Sequence, residues 1–488
     1  TIKIIALVVI STLLTSCLND WLTVNPKTDI TRENLFSTQE GFKDALTGVY
    51  VQLKRGAGYG ERLTFTTIEY LVSSWDVTTN TTGQRLGQFL YTDQGVENVM
   101  SGIFTQQYSV IASINAILDE IDAKRDVFTT EGLFELVKGE CLALRAFIHF
   151  DLLRLYGPIP ASIPSTPILP YVRTLSREVV PHSTYTEYQQ AIMADITEAT
   201  TLLSNADPIF DYSLEDLKDP GPTKIFNPAD TYFSARHLRM NYFAVKALSA
   251  RANLWFGNLP EAYEDAISVI NAQNQDGSKK FRLGTASDMT AGNLALPVEH
   301  IFAIHEFSLF SKYNTFFAAG SLKKGTAETT VKSQLYGNTG TDIRETYLWE
   351  LVTQDNQAKT YIIKKYNVPE ATPQPKFDIR HIPLIRVSEM YLIAAEGAPA
   401  LGQAQEYWNS FRIARNLPAS TLPADFNQRS DEIIKEYRKE FFAEGQAFYN
   451  YKRVNAPKNK ILWAPTAAAV VVNYVVPLPK TELINTTN

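Results

Sequence analysis

The chain has 488 residues, of which 45% are hydrophobic and 20% are charged, a balance typical of a globular protein with an ample core. Its formal net charge is −6, and no cluster of lysine and arginine supplies the basic patch that nucleic-acid binding requires. These values exclude a largely disordered chain and a nucleic-acid partner.

The N-terminus carries an apolar run, IIALVVISTLL, which begins at Ile4 and ends directly before the residues TSC. The run is too short for a transmembrane helix, which takes about 20 apolar residues. Its layout is typical of a secretory signal, and LTSC resembles a bacterial lipobox. We therefore predict a signal peptide over residues 1–16, a lipid-modified Cys17 and a tether over residues 17–36. The alternative is a buried N-terminal helix in which Cys17 fills the core.

Helical periodicity begins near Ser37, which Glu40 follows in capping-box spacing. Three later phrases combine apolar residues at helical spacing with small residues and a glycine that ends the helix. They lie at about 132–157, 236–271 and 383–416. A glycine turn between two such helices is the tetratricopeptide arrangement. We predict a domain over residues 37–488 that contains tetratricopeptide-like helix pairs.

Long stretches rich in proline and turn residues separate these phrases, at 157–183, 205–230 and 271–345. Alternating apolar segments are short, and only IFAIHEF near residue 301 and TYIIKKY near residue 360 suit β-strands. The predicted fold is therefore mainly α, with tetratricopeptide-like helical hairpins packed with a loop-rich irregular subdomain.

Several polar residues fall among apolar neighbours in the predicted helices. Cys141, in GECLALRAF, is expected to be a small buried hydrophobe. Glu140 and Arg145 of the same segment are expected to form a partly buried ion pair. Arg438 and Glu444 are expected to form a second one near the C-terminus. These charges would position helices rather than bind a ligand.

No catalytic or cofactor signature in the sequence is complete. GSLKKGT at 320–326 has the glycine spacing of a P-loop but lacks the lysine and hydroxyl residue after its second glycine. His300 and His305 stand five positions apart on a predicted strand, which would place them on opposite faces. They are therefore expected to be structural histidines. The sequence predicts no cofactor and no metal.

The six tryptophans divide into core candidates and loop candidates. Trp255 and Trp408 lie on predicted helical faces and are expected in the core. Trp463, in ILWAPT, is more consistent with a loop anchor. Trp75 lies in the polar loop VSSWDVTTNTTGQR, where a flat ring could stack on a sugar while polar side chains bind hydroxyl groups.

Two loops therefore supply the candidate ligand-binding residues. The first loop supplies Trp75, Asp76, Asn80 and Arg85. The second loop, SKYNTFF, supplies Tyr313, Asn314 and Phe316. For both loops the alternative is a partly buried anchoring role.

Five stretches, taken in their order and spacing, resemble the SusD/RagB family of outer-membrane nutrient-binding lipoproteins. The first follows Cys17 and reads DWLTVNPKTDITRENLFSTQEGFKDALTGVY. The others are ECLALRAFIHFDLLRLYGPIP, KALSARANLWFGN, IPLIRVSEMYLIAAE and YRKEFFAEGQAFYNYKR. Together they extend over nearly the whole mature chain.

The resemblance implies a SusD-like, non-enzymatic protein that is held at the outer membrane by a lipid anchor and faces the cell exterior. Such a protein binds oligosaccharides and delivers them to a SusC-like TonB-dependent transporter. The binding loops differ between members, so the resemblance assigns no ligand residue. Three alternatives stay open: an oligopeptide ligand, a purely scaffolding repeat protein, and a secreted helical glycoside hydrolase. The acid and base of such a hydrolase would be among Asp76, Glu97 and Asp342.

Overall fold

The structure is a computed structural model that describes residues 31–325, 330–354, 358–368 and 380–486. The predicted signal peptide, Cys17 and most of the predicted tether lie outside the described residues.

Helices make up most of the regular structure. In the N-terminal part they are α1 (Arg32–Leu35), α2 (Gln39–Leu53), α3 (Thr67–Leu71), α4 (Thr82–Gly87), α5 (Gln94–Ile121), α6 (Leu133–Tyr156), α7 (Tyr185–Ser204), α8 (Leu214–Lys218), α9 (Tyr242–Phe256) and α10 (Leu259–Ile270). In the C-terminal part they are α11 (Ala286–Thr290), α12 (Leu309–Tyr313), α13 (Ile343–Tyr347), α14 (Val387–Gly397), α15 (Leu401–Ala414), α16 (Phe426–Glu440), α17 (Ala447–Arg453) and α18 (Lys480–Thr486).

The longer helices pack in series. The pairs α6–α7, α9–α10 and α14–α15 are in contact, and α5 packs on α6 while α10 packs on α14. Small residues permit close approach: a Cβ added to Gly139 of α6 would lie 2.8 Å from Cγ of Leu203 in α7. This arrangement confirms the prediction of a mainly helical fold built from helical hairpins.

Local residues explain where two of these helices begin and end. Gly257 has a φ of +81° and ends α9, because its N–H donates back to the helix in a left-handed conformation that glycine adopts without strain. Thr38, rather than the predicted Ser37, caps α2, and its hydroxyl oxygen accepts the Gly41 N–H at 3.2 Å. The Ser37 hydroxyl instead donates to the carbonyl oxygen of Asn34 at 2.7 Å.

Four short strands in the described residues form two antiparallel pairs. β1 (His300–His305) pairs with β4 (His381–Arg386), and β2 (Trp349–Thr353) pairs with β3 (Lys359–Ile363). β1 and β3 confirm the two predicted strands. Strand β2 is not predicted from the sequence, and most of β4 falls within the third predicted helical phrase. β4 runs directly into α14, so the apolar residues of the two elements form one continuous run.

The core encloses the residues that the sequence assigns to it. Trp255 and Trp408 are buried, as predicted, and so is the free thiol of Cys141. Burial raises the pKa of this thiol well above its usual range, consistent with an inert core residue. Among the described residues, none of the helices has the length and apolar character needed to cross a membrane.

Both predicted ion pairs have the wrong partners. Arg145 pairs with Asp195 of α7 at 2.7 Å, and Glu140 instead binds Arg236. The reason is that residues five apart on a helix lie about 140° apart around its axis, so Glu140 and Arg145 face different neighbours.

The second pair fails because helix α16 ends at Glu440, so that Arg438 and Glu444 do not share a helical face. Glu444 lies in the following turn, where it binds Arg386 at 2.9 Å and Lys365 at 2.6 Å. Glu140, Arg145 and Glu444 do form buried ion pairs, with partners selected by long-range packing, whereas Arg438 has no carboxylate partner among the described residues.

Candidate functional site

Trp75 belongs to the core, and the structure contradicts the prediction that its ring presents a stacking surface. Only 2% of the residue is exposed, and its Nε1 donates to the carbonyl oxygen of Phe65 at 2.7 Å. The indole packs edge-on against Phe317 and Phe442, with ring centroids 5.8 and 5.0 Å away. Its polar atom and nearly all of its surface are therefore used inside the protein, and only a small remainder reaches an adjoining cleft.

The second predicted loop is also largely internal. Tyr313 is buried and stacks on Phe317 with centroids 6.1 Å apart. Asn314 opens a short π-helical segment, and Phe316 is half-buried against the same aromatic cluster. Because Phe317 contacts both Trp75 and Tyr313, the structure does bring the two predicted loops together, but as core rather than as an open surface.

An open cleft of about 430 Å³ adjoins this aromatic core. Its lining includes Tyr70, Trp75, Asp76, Gln84, Gln88, Lys324 and Trp463. These residues come from three distant parts of the chain. They combine three aromatic side chains, a carboxylate, an ammonium group and two amides in one concave surface.

Asp76 stands at this cleft with 46% of its side chain exposed. One carboxylate oxygen lies 3.0 Å from Nζ of Lys324, and the other accepts the Gly325 N–H at 2.6 Å. The Asp76 N–H donates to the carbonyl oxygen of Lys323 at 2.9 Å. The carboxylate is therefore fixed in position while part of it still faces solvent.

Lys324 links Asp76 to the aromatic wall of the cleft. Its Nζ lies 4.3 Å from the centroid of the Trp463 ring, within the range of a cation–π interaction. Its side chain is only 6% exposed, and burial lowers its pKa although Asp76 acts in the opposite direction. Backbone hydrogen bonds of 2.9 and 3.0 Å to Tyr361 in β3 hold the lysine in place.

Like Tyr70, Trp463 is an aromatic residue of the cleft that is partly exposed. Its Nε1 donates to Oε1 of Gln334 at 2.6 Å, and the ring lies edge-on to Phe442 with centroids 6.3 Å apart. A fixed, partly exposed indole beside a carboxylate and amides suits the C–H face and the hydroxyl groups of a sugar.

Asn80 and Arg85 shape the neighbouring loop rather than line the cleft. Arg85 forms an ion pair with Asp93 at 3.1 Å and donates to the Asn80 carbonyl oxygen at 3.2 Å. The Asn80 N–H donates to Oε1 of Gln84 at 2.8 Å. Gln84 lines the cleft, so the hydrogen bonds of Asn80 and Arg85 hold in place a cleft residue that is not among the predicted ones.

The three carboxylates proposed for a hydrolase lie in three different surroundings. Asp76 stands at the cleft, Glu97 binds Lys480 at 2.8 Å in another depression, and Asp342 is fully buried against Arg344. A glycosidase needs its two carboxyl groups on opposite sides of one bond, within about 10 Å of each other in one cleft. These three residues do not provide that pair.

His300 and His305 are not on opposite sides of the sheet, contrary to the prediction. Both rings lie near His381, with centroids 5.8 and 6.0 Å away. Two register shifts beside Phe302 turn the strand and bring both histidines to one side. His300 is buried and donates from Nε2 to the Ala295 carbonyl oxygen at 2.9 Å, as a structural histidine does.

The cleft-lining residues outside the predicted set include Tyr70, Gln84, Gln88, Lys324 and Trp463. From the sequence, Trp463 is predicted to be a loop anchor, and Lys324 belongs only to the incomplete P-loop. A tryptophan outside the helical pattern is a usable signal, and Trp463 carries it as clearly as Trp75 does. No local feature separates the two, because their exposure depends on distant residues.

Comparisons with known proteins agree with this fold. One family model, described as "Starch-binding associating with outer membrane" and named SusD-like_3, matches residues 20–211. A second, SusD_RagB, described as "SusD family", matches residues 308–483. The SusD-like protein P38 of Formosa agariphila is 26% identical over 93% of this chain and 91% of its own length.

Solved structures show the same architecture. A SusD homolog from Bacteroides thetaiotaomicron superposes with a TM-score of 0.70 at 16% identity, covering 95% of this chain and 98% of its own. A laminarin-binding SusD-like protein superposes with a TM-score of 0.61 at 16% identity, covering 92% of this chain and 98% of its own. At such identities the likeness shows a shared fold. Together with the two family models, it establishes that this chain belongs to the SusD/RagB family.

Proposed function

We propose that this protein is an outer-membrane lipoprotein that binds oligosaccharides at the Trp463 cleft and delivers them to a SusC-like TonB-dependent transporter. The observation that carries the binding proposal is the partly exposed Trp463 ring beside Lys324 and Asp76. The indole, held by a cation, is suited to stack on a pyranose, and the flanking carboxylate is suited to accept hydrogen bonds from the sugar hydroxyl groups.

Membership of the family supports the choice of ligand class and location. One matching family model is described as starch-binding and associated with the outer membrane, and one structural neighbour is described as laminarin-binding. The cleft of about 430 Å³ is within the usual size of a small-ligand site, about 300 to 1,000 Å³.

Binding is tested by calorimetric titration with laminarihexaose and maltohexaose. Trp463→Ala and Asp76→Asn should weaken binding about tenfold or more, as truncation at the centre of a site usually does. Phe307→Ala is the matched control, because Phe307 is an exposed aromatic residue, 69% exposed, outside the cleft. Unchanged affinity in both cleft variants, or equal loss in the control, would remove the Trp463 cleft as the binding site.

The same titrations separate this proposal from its alternatives. We expect the two oligosaccharides to be recovered intact after long incubation with the protein, and release of shorter sugars would favour the hydrolase. Titration with a random hexapeptide mixture should give no heat of binding. Tight binding of peptides but not of sugars would favour the oligopeptide alternative.

The proposed anchor is a lipid on Cys17, which would keep the protein at the membrane. Two acyl chains hold a protein stably at a bilayer, whereas one chain gives only reversible binding. Cys17→Ala should move the protein from the detergent-extracted membrane fraction to the soluble fraction. Purification of the native complex from outer membranes should recover a TonB-dependent transporter, and its absence would argue against the delivery step.

A further inference from the structure

A large groove lies between α16 and the chain that follows α17. Its first lobe has a volume of about 490 Å³ and is lined by Gln428, Asp431, Lys435, Arg438, Tyr451 and Leu462. The groove continues past the ion pair of Lys460 with Asp431 into a second lobe of about 540 Å³. Val454 and Ala456 line both lobes as well, so the two form one surface, here called the α16 groove.

Arg438 is the unusual residue of the first lobe, because its charge has no carboxylate partner within the part of the chain that the structure describes. Its Nε is buried without a hydrogen-bond partner, and its Nη1 lies 3.4 Å from the Tyr451 hydroxyl oxygen. The other cations that line this lobe, Lys435 and Lys460, are each bound by a carboxylate. Arg438 therefore keeps donor capacity and positive charge for a ligand.

The second lobe shares one part of this feature, a buried arginine Nε without an acceptor, although its arginine has a carboxylate partner. Arg453 lines it with a side chain only 10% exposed, and its Nη2 donates to Glu396 at 2.8 Å. Its Nε, like that of Arg438, is buried and meets no acceptor among the described residues. Both Nε atoms are enclosed by the protein, so hydrogen bonds to a ligand fall to the rest of the guanidinium of Arg438, which is partly exposed.

We propose that the α16 groove binds oligosaccharides that carry carboxylate or sulfate groups, with Arg438 as the charged contact. The proposal rests on the proposed function, since it takes the ligand to be a glycan. A guanidinium binds such oxyanions through charge-assisted, often bidentate hydrogen bonds. The amide side chains of Gln428 and Asn427 can hydrogen-bond to hydroxyl groups of the sugar. Phe426, which is 38% exposed, provides an aromatic ring in the second lobe for stacking.

The groove offers no sheet edge to an extended acidic peptide in the described residues. Peptide binding by strand addition needs unpaired backbone groups on the protein, as at such an edge. The walls of the α16 groove include the helices α16 and α17, whose backbone groups bond within each helix. Recognition here depends on side chains, which suits a ring-based polymer with charged substituents.

The groove and the Trp463 cleft are neighbours. Leu462 lines the first lobe and the next residue, Trp463, lines the cleft, so this short segment is the wall between them. A charged oligomer bound in the groove would thus lie beside the cleft rather than on a remote face.

The test compares three probes by calorimetric titration: hexagalacturonate, a κ-carrageenan hexasaccharide and the neutral laminarihexaose. We expect Arg438→Gln to weaken binding of at least one charged probe about tenfold or more, the usual effect of losing a hydrogen bond to a charged group. Arg438→Lys, which keeps the charge, should recover part of that affinity. Lys480→Gln is the charge-matched control, because Lys480 is 75% exposed and lies outside the groove.

The outcomes separate the two proposals. Loss of charged-probe binding in Arg438→Gln, with laminarihexaose unaffected, supports the α16 groove. If neither charged probe binds, or if Arg438→Gln and Lys480→Gln behave alike, the groove proposal is overturned, while the Trp463 cleft is judged on laminarihexaose alone. Binding of hexaglutamate with equal affinity and the same dependence on Arg438 would overturn the saccharide assignment. A melting temperature unchanged by Arg438→Gln shows that lost affinity is not lost folding.

Discussion

Arg145 and Asp195 form an ion pair of two hydrogen bonds inside the helical stack, with Nε and Nη2 of the arginine 2.7 and 2.8 Å from the two carboxylate oxygens. The pair joins α6 to α7. Arg145 also donates to Asn115 and to the Arg173 carbonyl oxygen, and the Tyr171 hydroxyl donates to Asp195. Both side chains are thus buried with their hydrogen-bonding groups satisfied.

Arg145→Met should therefore destabilise the protein strongly. Removing one partner leaves a buried, unpaired Asp195, which costs about 3 to 5 kcal/mol. Urea unfolding followed by circular dichroism measures this loss. The double variant Arg145→Met with Asp195→Leu should recover much of the stability, because both charges are then absent. A loss below about 1 kcal/mol in the single variant would mean that the pair is not buried in solution.

Trp75→Ala should mainly lower the stability of the protein, whereas Trp463→Ala should mainly lower its affinity for sugars. Trp75 is packed in the core, and truncation of a buried tryptophan costs about 3 to 5 kcal/mol of unfolding free energy. Trp463 is partly exposed, so its truncation should change stability much less while it weakens sugar binding. Thermal melts of the two variants side by side decide the matter. A Trp75→Ala protein that melts like the wild type would contradict the core assignment.

Glu69→Gln should make the protein less sensitive to alkaline pH. The Glu69 carboxyl is buried, accepts the Gly445 N–H at 3.0 Å, and has its pKa raised by burial to about 7. A raised folded-state pKa contributes stability that is complete below the unfolded pKa of about 4.5 and is lost as the pH rises through about 7.

The wild type should then lose about 1 kcal/mol more unfolding free energy than Glu69→Gln between pH 6 and pH 8. Urea midpoints at the two pH values measure the difference. Parallel losses in both proteins would show that Glu69 titrates normally.

His149→Gln should reduce the sensitivity of the protein to acid. His149 is fully buried, stacks on Tyr171 and lies 2.8 Å from the Tyr188 hydroxyl oxygen, and burial lowers its pKa to about 3. A depressed histidine pKa favours folding above the unfolded value of about 6.5. That contribution is lost as the pH falls toward 3, because only the unfolded chain takes up the proton.

From pH 7 to pH 5 this histidine should account for about 2 kcal/mol of lost stability, which the variant should not show. Unfolding curves of both proteins at the two pH values test this expectation. An equal loss in the variant would assign acid sensitivity to other groups.

The sequence alone determined the helical architecture, because helix formation leaves a local signal. Apolar residues at three- and four-residue spacing marked α6, α9 and α14, and a glycine in left-handed conformation ended α9 at Gly257. The buried state of Cys141 followed from the same periodicity. Strand β4 is not predicted because it joins α14 without a turn. No turn residue therefore marks where the strand pattern of apolar residues changes to the helical pattern.

Only the tertiary structure decided the partners and the exposed faces. Trp75 and Trp463 both lie outside the helical pattern, yet Phe317 and Phe442 close over the first, and the second stays partly open beside Lys324. Arg145 pairs with Asp195 rather than with Glu140, because Asp195 of α7 lies against the face of α6 that carries Arg145. Burial and ion pairing depend on contacts between residues that are far apart in the chain. Such contacts produce no periodic pattern in the sequence around either residue, so the sequence does not predict them.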